Sequence, residues 1–297
     1  MRTVEWQDGA VLLIDQKALP WKLEQVELRD YRAVASAITD MTVRGAPAIG
    51  ATAAFGLALA AQQSPATTLT DLLADLEQAA QVLKDARPTA VNRAWAVDRL
   101  MALATAGRLT TPDAVRDALL TEAQRIADED VAINQRIGMH GATLITEGST
   151  VLHHCNTGAL ATVDHGTALG VVRSAFEQGT SFHVLLDETR PRLQGSRLSA
   201  WELERLGVDY DIIADTAAGY AALSLYPKGF GVLTTEFKVN LLNPGRGRRL
   251  VARGRVIKPG RTLTVTASDV YGQTPGEADI HVATGLFTMI ALEGLDD

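Results

Sequence analysis

The rhythm of apolar and polar positions changes twice along the chain. In the first stretch, the short runs Thr3 to Trp6 and Ala10 to Ile14, joined by Gln7-Asp8-Gly9, predict a small antiparallel hairpin. Residues 29–105 carry helical spacing, with Val34, Ile38 and Met41 on one stripe and Leu72, Leu73, Leu76, Ala79 and Leu83 on another. Thr70 is the expected N-cap of the second of these helices, with Asp71 suited to the positive end of its dipole. Thr111-Pro112-Asp113 starts a further helix, because proline at the first helical position loses only an N–H that has no intrahelical partner. That helix runs to about Gly138 with Val115, Leu119, Ile126, Ile133 and Ile137 inward. The window Ala46 to Ala61 has no polar face; it is too short to span a bilayer and predicts a closely packed buried helix.

From Ser149 the rhythm becomes strand, helix, strand: strand 151–155, helix 166–178, strand 182–187, helix 196–206, strand 210–214. Alternation of this kind predicts parallel strands joined by crossovers. After Tyr226-Pro227-Lys228-Gly229 it stops. Residues 232–242 alternate with period two, and runs at 249–257, 262–271 and 279–290 follow, separated by Asn243-Pro244-Gly245 and Lys258-Pro259-Gly260. The fold class is therefore α/β: a helical N-terminal lobe, a Rossmann-like parallel βαβ unit, then an antiparallel β meander. The expected division is 1–145, 146–215 and 216–297.

Length and composition place this pattern in an ordinary globular class. The 297 residues suffice for two domains with their own cores. A net charge of −7 argues against a generally nucleic-acid-binding surface and points to small molecules or further copies of the chain as partners. The first residues have no apolar signal core and a single cysteine forms no internal disulfide, so a cytoplasmic location is expected.

Five places suggest chemistry. Val43-Arg44-Gly45-Ala46-Pro47 puts a guanidinium beside a glycine turn that feeds a helix N-terminus, a recipe for holding a phosphate; it also reads as a plain structural turn. Arg87-Pro88-Thr89-Ala90-Val91-Asn92 is a second such junction. The lone cysteine, Cys155, ends a strand and is followed by Asn156-Thr157-Gly158, at the sheet edge where open α/β sheets bind ligands. His153 and His154 must face opposite sides of that strand, which makes them poor joint metal ligands, and no metal site is expected. Asp187-Glu188-Thr189-Arg190-Pro191 and Gln194-Gly195-Ser196-Arg197 close the next strand. From Lys238 to Arg261 there are eight basic residues and no acid, either a phosphate-binding patch or a solvated strand face.

Together the segments Val43 to Gly50, Ala86 to Asn92, His154 to Gly170 and Asp187 to Leu203 resemble the methylthioribose-1-phosphate isomerases, relatives of the regulatory subunits of a translation-initiation exchange factor. The resemblance runs to about residue 213. It implies a cofactor-free aldose-to-ketose isomerisation in methionine salvage, a sugar-phosphate substrate and a homodimer. It implies that Arg44, Gly45, Ala46, Arg87 and Gln194 contact substrate and that Cys155 is one of two groups that move protons. The family's second group is an aspartate in a Val-Gly-Ala-Asp-Arg-Ile type motif, with an Asn-Lys pair after it, and this chain has neither. Residues 214–297 instead resemble the second half of hotdog-fold acyl-CoA thioesterases. There Asp215 matches the aspartate that positions the attacking water, and the first strands of the hotdog are missing. The chain reads as a mosaic. Asp215, and less so Glu236, are the candidates for the missing carboxylate. A thioesterase using Asp215 and a non-catalytic sugar-phosphate-binding or assembly protein are the alternative readings.

Overall fold

The computed structural model describes residues 2–87, 91–189, 192–213, 225, 230–243, 249–274, 276 and 278–293. The chain divides into two compact units. One comprises residues 1–149, 156–182 and 201–208, the other 150–155, 183–200 and 209–297.

The first unit opens with the expected hairpin, β1 (Val4–Gln7) and β2 (Ala10–Ile14), paired so that Val4 faces Leu13 and Trp6 faces Val11. A third strand, β3 (Gln25–Leu28), adds to β2. Its four residues hold only two apolar positions, too few to register as a period in the sequence. Five helices follow: α1 (Tyr31–Thr39), α2 (Ala46–Gln63), α3 (Leu69–Asp85), α4 (Val91–Thr105) and α5 (Pro112–Ala142). Helix α2 is buried from Ala48 to Ala61 because α1, α3, α4 and α5 all pack on it. Its small residues allow this. A Cβ on Gly56 would come within 2.9 Å of Val34 Cγ1 and 3.0 Å of Leu83 Cδ2, so the α1 and α3 side chains rest directly on the α2 backbone.

Two expectations need correction. The N-cap of α3 is Thr68, whose extended backbone lets its hydroxyl accept from the Asp71 N–H; Thr70 already lies inside the helix. Ile133 and Ile137 of α5 do not face inward but are 47% and 41% exposed. The first half of α5 buries Val115, Leu119, Ala123 and Ile126, while the second half turns small residues toward α6 (Ala168–Glu177). A Cβ on Gly138 would lie 2.3 Å from Ser174 Oγ, and one on Gly141 2.4 Å from Val171 Cγ2. Close approach of α6 thus needs a glycine face, and the two isoleucines are rotated away from it.

In the second unit, β4 (Thr150–His153), β5 (His183–Asp187) and β6 (Tyr210–Ile213) form a parallel sheet in the order β4-β5-β6. The remaining strands are β7 (Phe230–Leu241), β8 (Arg249–Lys258), β9 (Leu263–Gln273) and β10 (Ile280–Glu293). β8, β9 and β10 make the antiparallel meander, and β7 completes the sheet beside β10. No helix among the described residues is long and apolar enough to cross a membrane.

Two measurements test this packing. Phe55 is fully buried on α2, so Phe55→Ala should destabilise the protein by about 3–5 kcal/mol, read from urea unfolding midpoints. The second concerns His153, buried at the end of β4, whose pKa is pushed down to about 4 chiefly by burial and further by His154, against the pull of Asp187. A histidine whose folded pKa lies below its unfolded value binds fewer protons when folded, so stability falls as pH drops from about 6.5 toward 4. Relative to His153→Leu, the wild type should lose up to about 3 kcal/mol across that window. A difference independent of pH between 7 and 4 would refute it.

Candidate active site

In the second unit the cysteine turn is held in a backbone shape that side chains disfavour. Cys155 has φ +66°, the left-handed region. Its N–H donates to Thr189 Oγ1 at 2.7 Å and its carbonyl accepts from Ser199 Oγ at 2.8 Å. Both polar groups of the strained residue are therefore fixed by side chains that follow β5. Thr189 is itself at φ +64°, and its hydroxyl also donates to the Asp187 carbonyl at 3.2 Å. The chain then turns back at Leu193 and enters a π-helical turn, Gly195–Ser199, that leads into α7 (Ala200–Leu206). Gly195 is obligatory here, since a Cβ would lie 1.7 Å from the Asp187 carbonyl oxygen. The N–H groups of Gly195 and Ser196 donate to the Glu188 carbonyl at 3.1 and 3.3 Å. β4 ends at His153, so His154 lies beyond the strand; it is hydrogen-bonded through Nδ1 to Asp187 Oδ2 at 2.9 Å. Gln194 is the residue just before the π-helical turn, and its side chain makes no capping hydrogen bond.

In the first unit the residues after the cysteine form a loop, 156–166, around a buried carboxylate. Glu202 Oε1 accepts from Asn156 Nδ2 at 2.7 Å and from the Leu160 N–H at 3.3 Å; Oε2 accepts from the Ala159 N–H at 2.7 Å. Burial pushes the Glu202 carboxyl above the ordinary glutamate range, and Asn156, the two backbone donors and the nearby Arg44 pull it back. Gly158 permits the approach, because a Cβ there would meet Glu202 Oε2 at 2.2 Å. The Asn156 carbonyl in turn accepts from Arg44 Nη2 at 2.6 Å. Gly45 caps α2 at φ +94° with Pro47 in its first turn, and a Cβ on Gly45 would strike the Ala161 backbone at 2.2 Å. The hairpin adds Thr3 Oγ1 on the Ala159 carbonyl and Gln16 Nε2 on the Leu160 carbonyl, both at 2.7 Å. Asp130 of α5 accepts from the Val163 N–H at 2.8 Å.

Two contacts in the first unit link the segments that carry the Arg44 and Arg87 junctions. Thr39 Oγ1 donates to the Ala86 carbonyl at 2.8 Å, tying the end of α1 to the residue before Arg87. Gly50 of α2 packs on Asn92 of α4, with a Cβ position 3.2 Å from the Asn92 carbonyl oxygen. Arg44, Gly45, Ala46 and Arg87 therefore belong to one unit and Cys155 and Gln194 to the other. Asp215 lies outside the described residues, as does the side chain of Glu236. Sequence reasoning missed Glu202, although a charge on the stripe of Leu198 and Leu206 was the available signal. It also missed Thr189 and Ser199, whose hydroxyls gain meaning only once the chain turns back. No group of three residues able to hold a metal ion occurs among the described residues. In the tail, Arg253 and Arg255 are exposed and paired with Asp279 at 3.5 Å and Asp269 at 2.5 Å, and Arg253 also lies over the Tyr271 ring. These two arginines fit the solvated strand face.

The model of the initiation factor 2 subunit family matches residues 42–223, and that of the thioesterase superfamily matches residues 212–278. Methylthioribose-1-phosphate isomerase of Synechococcus sp. is 53% identical over 219 residues, 72% of this chain and 62% of that protein. Methylthioribose-1-phosphate isomerase 2 of Pseudothermotoga lettingae is 48% identical over 274 residues, 92% of this chain and 75% of that protein. The crystal structure of 5-methylthioribose 1-phosphate isomerase from Pyrococcus horikoshii superposes with a TM-score of 0.70 at 45% identity, covering 75% of this chain and 62% of that one. The chain thus spans 62–64% of the length of several of the isomerases it resembles. With a family model covering more than half its residues, and with relatives named as isomerases at about half identity, the chain belongs to the initiation factor 2 subunit family.

Proposed function

We propose that this chain is an aldose–ketose isomerase that converts 5-methylthioribose 1-phosphate to 5-methylthioribulose 1-phosphate in methionine salvage. The observation that carries the reading is the cysteine turn, whose strained Cys155 has both backbone polar groups tied down by Thr189 and Ser199. Strain of that kind persists only where the surroundings over-determine it, and it clusters at reactive sites. The net reaction takes a hydrogen from C2, places one on C1 and leaves the carbonyl at C2, with no net oxidation and hence no need of a redox cofactor. It requires a proton donor and a proton acceptor at that carbon pair. Cys155 is one of them and Asp215 is proposed as the other. Arg44, Gly45, Ala46, Arg87 and Gln194 bind the substrate, with the guanidiniums on its phosphate.

The proposal includes the division into residues 1–145, 146–215 and 216–297, a homodimeric assembly and a cytoplasmic location. The thioesterase-superfamily match over residues 212–278 favours a second reading, acyl-CoA hydrolysis with Asp215 orienting the water.

Turnover of 5-methylthioribose 1-phosphate by the purified full chain tests the first reading. Cys155→Ser should lower kcat by about 10²–10⁴-fold with unchanged folding. Arg44→Lys should act mainly by raising KM, since a bidentate fork is lost while the charge remains. Turnover indifferent to Cys155→Ser would sink the isomerase reading. Hydrolysis of acyl-CoA esters that vanishes in Asp215→Asn would establish the second one instead.

A further inference from the structure

A buried carboxylate of the first unit lies beside the proposed substrate arginine and has no part in the chemistry assigned above. Glu202 is a buried carboxylate that no cationic side chain meets at ion-pair distance among the described residues, and its hydrogen bonds come from Asn156 and from the backbone of Ala159 and Leu160. Burying an anion on neutral donors is expensive, and a glutamine or an apolar residue of similar volume would be cheaper wherever shape alone was needed. What the carboxylate supplies that a glutamine lacks is two acceptor oxygens and no donor. Three N–H groups converge on those oxygens, and a glutamine would set its own NH2 against at least one of them.

We infer that Glu202 is a positioning residue for the Arg44 guanidinium, acting through Asn156. The connection is short. Glu202 Oε1 fixes the Asn156 side chain at 2.7 Å, and the carbonyl of the same residue receives Arg44 Nη2 at 2.6 Å. Asn156 is 2% exposed, so its side chain cannot exchange the Glu202 bond for water without moving its own backbone. Ala159 and Leu160, held by the same carboxylate, are followed by Ala161, whose backbone is the surface against which Gly45 is pressed. One side chain therefore sets both the acceptor that orients Arg44 and the wall behind Gly45. The reach of the guanidinium toward a phosphate depends on this, because a rigid fork loses its bidentate geometry on a small rotation.

The inference rests on the isomerase reading only in taking Arg44 as a substrate group, and the experiment separates the two. In the full chain labelled with ¹⁵N-arginine, the Arg44 guanidinium resonances, assigned by their loss in Arg44→Lys, should be resolved and slow to exchange without any ligand. Glu202→Gln and Asn156→Ala should each collapse them into the averaged arginine envelope. With 5-methylthioribose 1-phosphate, Glu202→Gln should raise KM about tenfold with kcat changed far less, the scale of one charge-assisted hydrogen bond. It should add nothing further in an Arg44→Lys background. Unchanged Arg44 resonances and unchanged KM in a folded Glu202→Gln protein would make Glu202 merely structural and overturn the inference. Should Glu202→Gln fail to fold, Asn156→Ala carries the same two readouts. Absence of turnover in the wild type would count against the isomerase reading alone, and the ligand-free resonances would still decide the role of Glu202.

Discussion

A carboxylate sealed inside a protein must be surrounded by donors, and in the first unit that requirement organises everything near it. Glu202 draws in the Asn156 amide and the N–H groups of Ala159 and Leu160, which folds residues 156–160 around it. The outward-facing carbonyls of that loop then become acceptors for distant parts of the chain: Ala159 for Thr3, Leu160 for Gln16, Asn156 for Arg44. Backbone groups removed from water must find partners. A loop whose N–H groups are taken from one side can satisfy its carbonyls only from the other. The hairpin, the α1–α2 junction and α7 are in this way cross-linked through the loop 156–166, which has little regular structure of its own.

The second unit solves a similar problem with hydroxyls. Cys155 and Thr189 both sit at positive φ, where a β-branched residue such as threonine is disfavoured by roughly 1–3 kcal/mol. Each supports the other, since the Thr189 hydroxyl that receives the Cys155 N–H is presented by the very backbone conformation that strains it. The return of the chain after β5 is closed by Gly195, which lies where no side chain fits against the Asp187 carbonyl. A thiol held this way has little freedom to relax. That is a cost in stability and a benefit where an attacking or proton-moving group must stay in one place.

Most of the architecture was legible in the sequence, because period and punctuation agree with packing over long stretches. The apolar-all-round character of Ala46 to Ala61 gave a helix enclosed by four others, and the strand–helix alternation after Ser149 gave the parallel sheet. What was not legible depended on contacts rather than rhythm. Ile133 and Ile137 keep the apolar spacing of α5, yet the packing face there is chosen by Gly138 and Gly141, whose missing side chains admit α6. Thr68 and Thr70 are equal as caps by composition, and only backbone conformation separates them. Arg44, Cys155 and Gln194 were singled out from motifs and resemblance, whereas Glu202, Thr189 and Ser199 were not, since each is held to a partner more than thirty residues away.

The end of the parallel sheet constrains where the second proton-moving group of the proposed reaction can come from. A fourth parallel strand would follow β6 after a crossover, and the sixteen residues between Ile213 and Phe230 are long enough for one. β7 does not take that place: it pairs antiparallel with β10 from Leu241 to Phe230 in a separate four-stranded sheet. Among the described residues the β4-β5-β6 sheet has no fourth strand. β4, β5 and β6 run parallel and end at one edge, where His153, Asp187 and Ile213 are the last residues of each. Asp215 comes two residues beyond Ile213 in the chain. It is the first acidic residue after β6, which adds sequence proximity to the resemblance on which the proposed mechanism assigns the role to it rather than to Glu236 within β7.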